Sequence, residues 1–101
     1  MSTNDPLAAL HRALDDEEAA AALLARAELA LCEVEELAED DPGDETLQAA
    51  ISRAQDRLAL AEAGFKTARE RRAAIEAGLD QDEVMRAHRQ RCAPAAKRTT
   101  T

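Results

Sequence analysis

Along residues 47 to 79, apolar and small side chains recur in alternating steps of four and three. The row is Leu47, Ile51, Ala54, Leu58, Ala61, Phe65, Ala68, Arg72, Ile75 and Leu79, with Arg72 its one charged member. That period is a heptad, which marks a helix with a narrow apolar seam. The N-terminal segment carries a matching row: Ala9, Ala13, Asp16, Ala20, Leu23, Ala27, Ala30, Val34 and Leu37. A chain reversal near residues 41–43 sets Leu37 opposite Leu47, Ala30 opposite Ala54 and Leu23 opposite Ala61. Large then faces small at successive levels, as close antiparallel packing prefers.

The punctuation agrees with this pairing. Asp5 precedes Pro6, an N-cap followed by a residue suited to the first helical position. The same pairing recurs at Asp41 and Pro42, with Asp44 as an alternative cap. Asp80 followed by Glu83 is a capping-box pattern, and Pro94 stops what it starts. The reading is an all-α fold: a long antiparallel two-helix coiled-coil hairpin with a short third helix. The helices are predicted over residues 6–40, 43–78 and 80–92, within one domain spanning 1–93. Residues 94–101 are expected to be a flexible basic tail. Each long arm would extend ~50 Å at 1.5 Å per residue.

The first helix carries more apolar surface than one seam uses. Beside the row above runs a second: Leu7, Leu10, Leu14, Ala21, Leu24, Leu31 and Ala38. A third helix folding back at Gly78 would lay Val84, Met85, His88 and Cys92 over Leu7, Leu10 and Leu14. It is too short to reach farther. Leu24, Leu31 and Ala38 are therefore expected to face a partner, with Glu35 and Glu39 flanking them.

Composition sharpens that expectation. Of the apolar residues 25 are Ala, and only 19 are Leu, Ile, Val, Met or Phe, so an isolated core is thin. The net charge of −8 is unevenly spread: residues 1–63 hold 16 acids and 4 bases, residues 64–101 hold 5 acids and 9 bases. The acidic run Asp15–Glu18 falls level with Lys66 and Arg69 across the predicted hairpin. A chain this acidic is a poor general nucleic-acid binder, since phosphate contacts need clustered cations; only the basic stretch Arg86–Arg98 offers weak contact. No apolar run approaches the ~20 residues that span a bilayer. Two cysteines without a signal-peptide pattern lead us to expect free thiols and a cytoplasmic location. Eleven Arg against two Lys, with abundant Ala, suggest a bacterial or phage origin.

Residues 33 to 47, "EVEELAEDDPGDETL", hold eight acids and no base. Asp41, Asp44 and Glu45 complement the positive start of the second helix. Glu39 and Asp40 sit where the first helix ends, which the helix dipole disfavours, so solubility or a basic partner must account for them. The acidic tip is thus Asp40, Asp41, Asp44 and Glu45. A long antiparallel coil with such a tip resembles the secondary-channel transcription factors of the Gre and DksA type. That resemblance implies a tip, here Asp41 and Asp44, inserted toward the catalytic metal of RNA polymerase. It covers the hairpin alone, because the chain has neither a Cys-x-x-Cys zinc module nor a globular second domain.

Leu7, Leu10, Leu14–Asp15, "LLAR" at 23–26 and "AGLDQDEV" at 77–84 look similar to the all-helical chorismate mutases. The resemblance implies an enzyme, but that family's dianionic substrate needs several cations. Acids stand late in the first helix, and Asp44 replaces an Arg. His11, His88, Cys32 and Cys92 are the only soft metal ligands, too few and too spread for a structural zinc site. We therefore expect no metal, no cofactor and no catalytic residues. The expected function is a non-enzymatic protein-binding module, such as an adaptor, assembly chaperone or inhibitor. Its partner is a protein with a basic or apolar surface, or a second copy in a homo-oligomer.

Overall fold

The computed structural model describes residues 6–92. The expected Asp5 cap and the basic tail 94–101 lie outside the described residues. Three helices follow in order: α1 (Pro6–Asp40), α2 (Glu45–Ala77) and α3 (Gln81–Cys92). α1 and α2 pack as an antiparallel hairpin, and α3 folds back against the start of α1. The molecule is a rod of 59 × 33 × 24 Å with a radius of gyration of 19.3 Å. A compact domain of this length would have about 13 Å.

α1 runs unbroken because no Gly or Pro follows Pro6 before the tip, and Ala, Leu and Glu dominate it. The reversal uses four residues, Asp41 to Asp44, closed by the Asp44 N–H donating to the Asp41 carbonyl at 3.2 Å. The cap of α2 is Asp44, so the helix begins at Glu45, two residues beyond the predicted start at 43. Its Oδ1 accepts from the backbone N–H of Thr46 at 2.8 Å and of Leu47 at 3.4 Å. Asp41 instead opens the turn and leaves Pro42 outside the helix. No described residue adopts the left-handed region, so the turn does not require its glycine.

The seam of α2 is as predicted. All ten residues of its row are buried or half-buried, joined within α2 only by Ala50 and Glu76. α1 differs. From Ala13 to the tip its covered positions are Ala13, Leu14, Glu17, Ala20, Leu24, Ala27, Leu31, Val34 and Ala38. Leu24 and Leu31 are half-buried and Ala38 is 8% exposed, whereas Leu23 and Leu37 are each 57% exposed. The expectation that Leu24, Leu31 and Ala38 stand uncovered is therefore corrected: they belong to the hairpin seam, and Leu23, Ala30 and Leu37 take the outer place.

The physical reason is a degeneracy. Leu24, Leu31 and Ala38 offer two leucines and an alanine, and so do Leu23, Leu37 and Ala30. Apolar burial cannot choose between them. Rotating α1 by one position also brings Leu10 and Leu14 to the side where α3 docks. There Leu10, Leu14 and Ala87 are buried, with Leu7, Ile75, Leu79 and Val84 packed around them. Met85, expected on that face, is 52% exposed and Ala87 replaces it. Val84, Ala87, His88 and Arg91, at helical i, i+3, i+4 and i+7 spacing, form the covered face of α3, and Met85 stands off it. Cys92's expected place on this face lies outside the described residues.

Two stability measurements test this account. Leu24→Ala and Leu31→Ala should each cost about 1–2 kcal/mol. Leu23→Ala and Leu37→Ala should stay within about 0.5 kcal/mol; equal costs in chemical denaturation would restore the original rotation. Gly64 lies exposed inside α2, and a Cβ there would meet no atom within 4 Å. Gly64→Ala should accordingly stabilise the protein by about 1 kcal/mol, read as a higher melting temperature.

Candidate interaction surface

One flank of the hairpin carries an open furrow of about 510 Å³. Its floor is Ala27 and Ala30 from α1 with Ala54 and Ala61 from α2; Leu23 and Leu60 form its walls. Arg26 and Arg57 complete the lining, one from each arm. Alanine explains the shape: the floor side chains are too short to fill the space between two cylinders. The walls are apolar and open to water, with Leu60 74% exposed.

The outward row of α1 continues beyond this furrow at heptad intervals, Asp16, Leu23, Ala30 and Leu37, with half-buried Ala9 in line with it. Toward the open end a second, more polar hollow of about 390 Å³ is lined by Ala9, Arg12, Ala13, Asp15, Asp16, Arg71 and Ile75. Arg12, Arg26, Arg57 and Arg71 therefore share one flank of a chain whose net charge is −8. Among the furrow's own lining residues there are two cations and no acid.

A polar network holds α1 in the rotation that exposes this row. Arg72, inside the seam of α2, donates to Glu17 through Nε at 2.9 Å and to Glu76 through Nη1 at 2.9 Å. Glu76 in turn pairs with His88 of α3 at 2.6 Å. Arg91 of α3 reaches Asp15 and Glu18, both at 2.7 Å. The acidic run 15–18 is thus met by Arg72 and Arg91, not by Lys66 and Arg69. Arg69 instead lies over the Phe65 ring at 5.4 Å.

Hydrogen bonds donated to Glu17 and then Glu76 hold the Arg72 guanidinium above its usual pKa. The Arg91 guanidinium is raised chiefly by Asp15, against a smaller desolvation effect and with help from Glu18. For Glu76 burial pushes the carboxyl up, but the hydrogen bonds to His88 and Arg72 together outweigh it and carry the pKa below its ordinary 4.5.

The sequence-predicted site residues are scattered by this geometry. Glu35 and Glu39 are exposed, as are Asp40, Asp41 and Glu45 at the tip; Asp44 is half-buried and committed to its cap. Leu24, Leu31 and Ala38 lie inward of them. His88 is bound to Glu76, Cys32 is an exposed free thiol, and His11 is half-buried. Among the described residues no three His, Cys, Asp or Glu side chains stand close enough to hold a metal ion. No described helix is long and apolar enough to cross a membrane. Leu60, Arg26 and Arg57 line the furrow but were not singled out from sequence. Leu60 was the available signal, an aliphatic residue off the seam of a helix whose other large apolar side chains keep to it.

Glu76 supplies a pH test. A carboxyl whose pKa is depressed by folding stabilises the fold above its ordinary value, and that contribution is lost as pH falls through the folded value. The loss should therefore appear below pH 4.5. Glu76→Gln should cost on the order of 1 kcal/mol at neutral pH and flatten the acid side of the stability profile. An unaltered acid limb would remove Glu76 from the account. Compared with protein-family models, curated proteins and solved structures, the chain matches none.

Proposed function

We propose that this chain is a non-enzymatic protein-binding module whose working surface is the alanine-floored flank of the hairpin. The observation that carries the reading is the exposure of Leu23, Leu37 and Leu60 along one side of a rigid two-helix rod. Aliphatic side chains in a row at heptad spacing cost solubility when bare, and they regain it when a partner helix lies along them. The furrow between two straight arms has the form that accepts such a helix. Its floor of alanines lets a third backbone approach closely, while Leu23 and Leu60 enclose it from either side.

In this role the acidic tip keeps the rod soluble and caps α2, and the module acts as an adaptor, assembly chaperone or inhibitor. A thin intrinsic core supports the same reading. Among the described residues the buried apolar side chains are Leu10, Ala13, Leu14, Ala38, Ala54 and Ala87, and four of the six are alanines. A bound helix would add burial where the hairpin itself has least.

The test is affinity capture from a lysate of the source cells with Leu23→Glu plus Leu60→Glu as the control. Both side chains are exposed, so helicity by circular dichroism should be unchanged while the captured protein is lost. Undiminished capture by the double variant would move the binding site off this flank.

A further inference from the structure

The furrow's charge says what kind of helix it takes. Arg26 and Arg57 stand among its lining residues without an acid beside them. Neither takes part in any hydrogen bond, ion pair or ring contact among the described residues, whereas Arg72 and Arg91 are spent on carboxylates and Arg69 on Phe65. Two unpaired guanidiniums flanking an apolar floor, one on each arm, match a helix with an apolar stripe edged by carboxylates. We propose that the occupant is an acidic amphipathic helix of another protein, its Asp or Glu side chains accepting hydrogen bonds from Arg26 and Arg57. This rests on reading the furrow as a protein-binding surface, and it reverses the charge of the partner that the chain's overall acidity suggests.

Distance reconciles the two signs. Ala30 in the furrow lies ten residues from Asp40 at the tip, ~15 Å along the helix at 1.5 Å per residue. At physiological ionic strength charges are screened over ~8 Å. A carboxylate seated against Arg26 or Arg57 therefore feels those guanidiniums in contact and the tip only weakly. Arginine also presents a planar fork of donors that matches a carboxylate in two bonds.

A second copy of the chain fits less well. In a two-fold pair each surface meets itself. Joining furrow to furrow would bring both copies' Arg26 and Arg57 into one seam with no lining acid to neutralise them. The nearest acids on that flank, Asp15 and Asp16, line the neighbouring hollow and not the furrow.

The experiment pans a displayed library of amphipathic helices against the full chain. The Leu and Ala stripe is held constant, and the flanking positions are drawn equally from Glu, Lys, Gln and Ser. Glu should be enriched over Lys, with chosen peptides binding about tenfold more tightly than their Lys counterparts, a difference of about 1.4 kcal/mol. Arg26→Glu plus Arg57→Glu should reverse the preference. The milder Arg26→Gln plus Arg57→Gln should erase it, and both positions are exposed. Enrichment of apolar helices without charge preference, or the same preference in the reversed variant, overturns the acidic partner and leaves the binding surface standing. No enrichment above a bare support overturns both. Sedimentation equilibrium gives the remaining outcome: a dimer abolished by Leu60→Glu would assign the furrow to a second copy and overturn the proposal.

Discussion

Arg72 is the constraint from which the other arrangements follow. It occupies a seam position in α2 where every neighbouring level carries an apolar or small residue. A guanidinium placed there must find carboxylates within reach or lose hydration without return. Glu76, one turn on, satisfies part of it, but a residue on the same helix cannot orient α1. Glu17 does that. Its side chain reaches Arg72 only when α1 is turned to place 17, 24, 31 and 38 inward. Glu76 then passes the connection to His88, and α3 is held over Leu10 and Leu14. One partly buried cation thus sets the rotation of one helix and the docking of another.

The seam that this network organises is unusual in how little volume it contains. Alanines at 13, 20, 27, 38, 54, 61 and 68 let the arms approach closely, and close approach gives dispersion contacts along the whole rod. The same economy leaves shallow ground on either side. Where a coiled coil built from leucine would close over its own flank, the alanine floor between Leu23 and Leu60 stays open. The open furrow and the thin core have one cause, small side chains at the contact line.

How much of this could be read in advance differs from element to element. α2 was legible residue by residue because its off-seam positions are mostly polar, so only one row could face inward. α1 was not, because two adjacent rows carry the same apolar content; the choice lies in a polar contact 55 residues away in the chain, which periodicity does not see. Asp41 and Asp44 both satisfy the preference for a cap, and only the side-chain bonds to Thr46 and Leu47 separate them. On α3, Met85 outranks Ala87 in hydrophobicity, but Ala87 shares the helical face of Val84, His88 and Arg91 and packs with Leu10 and Leu14. The row expected to stand uncovered, Leu24, Leu31 and Ala38, is the one the hairpin covers, and exposed Leu60 belonged to no row at all.

The distribution of strong contacts along the rod has a mechanical consequence. At the tip the arms are joined covalently through the turn and locked by the Asp44 cap. At the open end nothing joins α1 to α2 except side chains, and there the structure concentrates its two buried leucines, its cation network and the whole of α3. Pulled apart at Pro6 and Cys92, a hairpin of alanines would unzip turn by turn at low force. With α3 bound across the open end, opening must begin by tearing that clasp, and the first break becomes the hardest. The rod is then a closed strut with a threshold, not a zip fastener, and the furrow on its flank lies outside the clasp.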